Sequence, residues 1–137
     1  MAQPFLIPYR ALQAGDQPRP YLVLALTGIN GQSGRVPGLV DTGADGTSLP
    51  LGYASLMGYT PATLAVETFG QADGTAQGYR ALQPSRARVP EIPDIEWEIS
   101  PMFASGAQIP LWGRVDFMRQ FNVGIFETAQ HFTITSA

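Results

Sequence analysis

The sequence predicts an all-β chain with little helix. Its apolar residues fall in short runs, as in Phe5–Tyr9 and Tyr21–Thr27, and not in long helical periods. Turn signals separate the runs: Gly15–Pro20 is a Gly/Pro-containing loop, and Asn30-Gly31 is a dipeptide that closes hairpins.

Taken in order, Phe5–Tyr9 is a short strand and Tyr21–Thr27 a strongly apolar one. After the Asn30-Gly31 turn, Arg35–Val40 returns as a strand that ends on an acid, Asp41. Pro50, followed by Tyr53, Leu56 and Met57, predicts a single helical turn ending at Gly58. Thr63–Phe69 and Thr75–Leu82 read as two strands around the polar tip Gly70-Gln71-Ala72-Asp73-Gly74. Ala87–Ile92 and Ile95–Ile99 are further strands. Phe117, Met118 and Phe121 have the i, i+1, i+4 spacing that puts three apolar side chains on one face of a short helix. Asn122–Phe126 and His131–Thr135 close the chain as a hairpin turning at Glu127–Gln130. No repeat, low-complexity tract or linker interrupts it, so residues 1–137 are expected to form one domain.

Composition removes several function classes. With no cysteine there is no disulfide, thiol nucleophile or Cys-type metal site. The single His131 sits in a strand pattern far from Asp41, which leaves a zinc site or a Ser-His-Asp triad little to build on. A formal net charge of -3 gives no footprint for nucleic acid. All 8 basic residues are Arg, and Arg80, Arg86 and Arg88 read as a solvated strand face. No stretch reaches the length of a membrane span, and Met1-Ala2-Gln3-Pro4 does not begin a signal peptide. A complete chain of this kind is expected in the cytoplasm; a domain cut from a longer one has lost its address.

The most informative stretch is Leu39-Val40-Asp41-Thr42-Gly43-Ala44-Asp45. An apolar strand delivers Asp41 into a tight Thr-Gly turn, so its carboxylate is expected at the floor of a site and not on a surface loop. Buried carboxylates are costly unless hydrogen-bonded or paired, which makes Asp41 a functional candidate. Gly43 permits the sharp turn and a close approach to the carboxylate. An Asp-Thr-Gly triplet is also an ordinary turn sequence. A second motif carries the reading further: Ile109-Pro110-Leu111-Trp112-Gly113-Arg114, followed by Val115-Asp116-Phe117-Met118.

Together the two motifs resemble those of the retropepsin-like, retroviral-type aspartic proteases. The resemblance implies a single-lobe acid-protease fold: a closed β-barrel with a flap hairpin and one short C-terminal helix. It implies an aspartic endopeptidase with Asp41 as the catalytic acid, supported by Thr42, Gly43 and Ala44. The Arg after the Gly pairs in this family with the acid behind the active-site loop, which here predicts an Arg114–Asp45 ion pair. The flap is expected over Phe69, Gly70, Gln71, Ala72, Asp73 and Gly74, and pocket residues at Ile109 and Leu111. No metal or cofactor is required. One Asp-Thr-Gly per chain implies a homodimer acting on polypeptide substrates, and the terminal strand His131–Thr135 is the expected interface element.

Three departures stand out. Trp112 replaces a usual aliphatic residue and must find room and an N–H partner. The segment before the apolar pair Phe117-Met118 is one residue longer than in the shortest family forms, and Gly46 stands where some members carry a further acid. Ala44 brings no hydroxyl to Asp41, where pepsin-like sites commonly place Ser or Thr; this favours a mildly acidic working range over a strongly acidic one. Two rival readings stay open. One is a non-proteolytic dimeric peptide-binding or assembly module of the same fold, the other an unrelated β-barrel with a fortuitous triplet.

Overall fold

The computed structural model describes residues 3–71, 74–107 and 109–137, with the side chains of 69–76 outside that description. Among the described residues, twelve strands and one short α-helix follow in the order β1 (Phe5–Pro8), β2 (Tyr21–Thr27), β3 (Ser33–Val40), β4 (Ser48–Pro50), α1 (Gly52–Leu56), β5 (Leu64–Gln71), β6 (Gly74–Ala81), β7 (Ser85–Arg88), β8 (Glu96–Ile99), β9 (Met102–Ala104), β10 (Leu111–Trp112), β11 (Phe121–Phe126) and β12 (His131–Ser136). A 3-10 turn, Pro61–Thr63, precedes β5. The strands form a nine-stranded sheet ordered β5-β6-β9-β4-β10-β3-β2-β7-β8 and a three-stranded sheet ordered β1-β12-β11. No helix of the described residues is long and apolar enough to cross a membrane.

Alternation sets the core. On β2, Leu22, Leu24 and Leu26 are buried, while Val23 and Ala25 turn to the other face. Val36 and Val40 of β3 join them from the facing strand, and Trp97 and Ile99 of β8 and Phe103 of β9 complete the same interior. Phe132 and Ile134 alternate inwards on β12. The helical turn lies where Pro50 and Gly58 bracket it, and Gly58 takes the left-handed φ of 87° that ends the helix.

Three sequence expectations change. The nine-stranded order is linear, with β5 and β8 as its edges, so among the described residues the hydrogen bonding does not close into a barrel. The expected C-terminal helix is not formed; 114–120 is a run of turns. Arg114 N and Val115 N donate to Ala44 O (2.9 Å) and Asp45 O (2.6 Å), while Met118 N bonds back to Gly113 O (3.2 Å). Stitching to the Asp41 loop replaces the regular helical ladder. The apolar spacing still works: Phe117 and Phe121 are buried, and their rings lie 6.0 and 5.5 Å from that of Trp97. Finally, β12 is the central strand of its sheet, bonded to β1 on one side and β11 on the other, so it has no free edge to offer a partner.

Candidate active site

Asp41 leaves the end of β3, where β10 lies between β3 and β4. β10 runs parallel to β3, with Leu111 opposite Leu39 and Trp112 opposite Val40, and antiparallel to β4, with Leu111 opposite Ser48. The loop 41–47 therefore goes out along β3 and comes back along β4, straddling β10. Leu39 N donates to Pro110 O (2.9 Å) and Asp41 N to Trp112 O (3.0 Å), so the second motif fixes the backbone of the first.

Within the loop, Gly43 N donates to Asp41 Oδ1 at 2.8 Å, and Ala44 N closes the turn on Asp41 O at 3.2 Å. A backbone N–H on a carboxylate oxygen fixes its orientation. A Cβ at Gly43 would sit 3.2 Å from that Oδ1. Gly113 is more constrained: a Cβ there would lie 2.3 Å from Gly46 O and 2.7 Å from Ala44 O. The two motifs meet backbone to backbone, and only glycine fits between them.

Asp41 is half-buried, and Thr42 and Gly43 are exposed. The expected buried floor is instead open: Val40 is 5% exposed, but burial ends with the strand. Ala44 is half-buried. The expected Arg114–Asp45 ion pair is not formed. Both side chains are exposed and line one cavity of about 380 Å³ with Val115, Met118 and Arg119, and the ion pairs among the described residues are Arg80–Glu67 and Arg86–Glu96. The backbone bonds from Arg114 N and Val115 N already brace this loop, so solvent retains the two charges.

The residue that does reach the loop with its side chain is Asp116. Its Oδ2 accepts from Thr47 N at 3.3 Å and lies 3.7 Å from where a Cβ at Gly46 would stand. The sequence assigns it no role, because its partner lies 69 positions away. Trp112, the departure from the resemblance, is fully buried and donates its indole Nε1–H to Leu22 O at 2.8 Å.

Ile109 is half-buried and lines a cavity of about 390 Å³ with Leu12, Gln13, Asp16, Gln17, Arg19 and Tyr21. Leu111 is half-buried in the strand beside Asp41. The two strands expected around the flap form one hairpin, β5–β6, paired from Leu64↔Ala81 to Gln71↔Gly74. Ala72 and Asp73 lie outside the described residues, as do the side chains of Phe69, Gly70, Gln71 and Gly74. His131 is half-buried, its ring 5.0 Å from that of Phe126.

Compared by sequence, the chain matches no family model and no curated protein. Compared by structure, it is similar to a retropepsin-like aspartic protease from Rickettsia conorii, with a TM-score of 0.67 and 16% identity over 98% of this chain and 91% of that one. It is also similar to EIAV protease in complex with the inhibitor HBY-793, with a TM-score of 0.54 and 16% identity over 75% of this chain and 88% of that one. With these strands and this motif-to-motif pairing, the chain has the retropepsin-like fold.

Proposed function

We propose that the protein is an aspartic endopeptidase, active as a homodimer in which each chain contributes one Asp41. One observation carries the reading: a half-buried carboxylate held through Oδ1 by Gly43 N, at the junction of two parallel strands, on a retropepsin-like fold. Two such carboxylates brought within hydrogen-bonding distance cannot both ionise, so the pair shares one proton. One then acts as general base on a water that attacks the scissile carbonyl. The other gives its proton to the developing oxyanion, and the amide nitrogen is protonated as it leaves. Electrons and protons balance without a metal or cofactor.

The exposed Thr42 is available to bond across the two-fold axis and hold the two loops together. An extended polypeptide would lie between these loops and the β5–β6 flap, with side chains against Ile109 and Leu111. The cavity beside Ile109 supports one such subsite. Asp45 and Arg114, unpaired in the single chain, border the loop where a partner or substrate would meet it.

The test compares wild type with Asp41→Asn on a diverse peptide library between mildly acidic and neutral pH. Cleavage by wild type and none by the variant, with the same dimer in both, is the expected result. A dimer in which neither form cleaves any peptide points instead to a non-proteolytic binding or assembly module.

A further inference from the structure

We infer that Asn30 is a modification site gated by the fold. Its amide clamps the end of α1 in the folded chain and is lost to Gly31 when the hairpin tip opens, leaving aspartate or isoaspartate. The modification is independent of peptide cleavage and of assembly.

Asn30 lies exposed at the tip of the β2–β3 hairpin. Its Nδ2 donates to Leu56 O at 3.1 Å, and its Oδ1 accepts from Gln32 N at 3.1 Å. Ile29 N donates to Met57 O at 2.9 Å, so the tip grips the end of α1 with one side-chain and one backbone bond. Two glycines seat the amide closely. A Cβ at Gly58 would lie 2.7 Å from Asn30 Cβ, and one at Gly28 would lie 2.8 Å from Asn30 Oδ1. Beside this contact the packing is open: a cavity of about 250 Å³ lies between hairpin and helix, lined by Gln32, Ser33, Tyr53, Leu56 and Met57 with their neighbours. Leu56 itself is 66% exposed. A junction held by few bonds at the surface is one that opens locally.

Gly31 has no Cβ to shield its backbone nitrogen from the side chain before it. In the closed hairpin the two reacting groups are held apart. Gly31 N donates to Gly28 O at 3.0 Å, and both ends of the Asn30 amide are bonded elsewhere. Opening releases all three bonds. Gly31 N then bonds Asn30 Cγ, the Cγ–Nδ2 bond breaks, and Nδ2 departs as ammonia with the proton that Gly31 N gives up. Water opens the resulting succinimide at either carbonyl, giving aspartate by one route and isoaspartate by the other. No co-reactant besides water enters. The product cannot rebuild the clamp, because a carboxylate has no hydrogen to donate to Leu56 O and sets one acceptor against another. The chain's other asparagine, Asn122, is paired with Thr135 in β11 and precedes the β-branched Val123, whose side chain shields its nitrogen. Asn122 is therefore an internal reference.

The test ages the full chain at mildly alkaline pH, folded and in urea, and follows residues 30 and 122 by peptide mass mapping and isoaspartyl methylation. Asn30 should convert readily in the unfolded chain and at least about tenfold more slowly in the folded one, with Asn122 lagging in both. Amide exchange then reads the clamp. In Asn30→Asp, the N–H groups of Ile29, Met57 and Gly58 should exchange at least about tenfold faster than in wild type, while that of Leu24 in β2 is unchanged. If Asn30→Asp fails to fold, aged wild type enriched in the converted form is measured in its place. An Asn30 that stays intact in the unfolded chain, or converts equally fast in both forms, overturns the inference. So does a converted chain whose Ile29, Met57 and Gly58 amides exchange as in wild type.

Discussion

The Trp112 indole lies across Gly38 and bonds Leu22 O on the strand beyond it. A Cβ at Gly38 would come within 2.3 Å of Trp112 Cε2, so the ring from β10 crosses β3 at a position without a side chain. Gly38 is opposite Leu22 in the β2–β3 pairing, which places the acceptor where the ring ends. A bulky residue in the second motif is thus accommodated by a glycine three residues before Asp41. This single packing relationship ties three strands beneath the site.

Gly38→Ala should therefore be strongly destabilising. Overpacking a filled core costs roughly 1–3 kcal/mol, and here the intruding atom meets a ring that a hydrogen bond holds in place. Trp112→Leu removes the ring and the indole N–H that bonds Leu22 O. Because the two residues are in contact, the double variant should lose less stability than the sum of the singles, by about 0.5–3 kcal/mol. Urea unfolding of the four proteins measures it, and additive losses would show that the ring does not depend on Gly38.

Asp116 should matter to the loop through its acceptor and not its charge. Asp116→Ala leaves the N–H of Thr47, a residue 3% exposed, without its partner, a loss of about 1–3 kcal/mol. Asp116→Asn keeps an oxygen in the same place and should recover most of that stability. Denaturant midpoints for the two variants separate the cases. Equal losses would mean the charge is what counts.

Arg114→Ala should leave stability nearly unchanged, within about 0.5 kcal/mol, as for a surface substitution away from any partner. The bonds that brace the loop come from the backbone of 114 and 115, which the substitution retains. A thermal melt below the concentration of assembly checks this. A large drop would place the ion pair with Asp45 in solution after all.

The sequence revealed the long strands because alternation and turn residues mark them locally. Tyr21–Thr27 was read to the residue, and the hairpin around Asn30-Gly31 closes Thr27 against Ser33. It also revealed that Asp41 and Gly113 belong together. It did not reveal β4, β9 or β10, which are two or three residues long and stand in the sheet only because longer strands flank them. Such strands carry no periodicity to read. The helix expected over Phe117–Phe121 had the right faces, but its backbone donors were drawn to the Asp41 loop. The Arg114–Asp45 ion pair is what the family resemblance implies, and neither the resemblance nor the opposite charges say whether solvent still holds them. Asp116 was invisible because a side chain bonding a backbone N–H across a gap of 69 positions leaves no local pattern.

Tyr59 should give the fold an alkaline limit. Its hydroxyl donates to Gln83 O at 2.7 Å and lies 2.5 Å from Ser85 Oγ, beside the ring of Phe103 at 5.2 Å. Burial raises its pKa above the ordinary tyrosine value, outweighing the opposing hydrogen bond with Ser85. Tyr9 is raised too, by burial and then by its bond to Glu127 and that residue's charge. A group whose folded pKa lies above its unfolded one contributes stability that is complete below the unfolded pKa, about 10 for tyrosine. That contribution is lost as the pH climbs from there through the folded pKa. Wild type should thus hold a flat melting temperature approaching pH 10 from below and then lose it. Tyr59→Phe should melt lower at neutral pH, by about 1–3 kcal/mol, since buried Ser85 loses its partner. Its alkaline decline should be shallower than that of wild type, with the remainder due to Tyr9. Parallel alkaline limbs in the two proteins would show that Tyr59 titrates alike folded and unfolded, and that the buried network at Ser85 does not hold its proton.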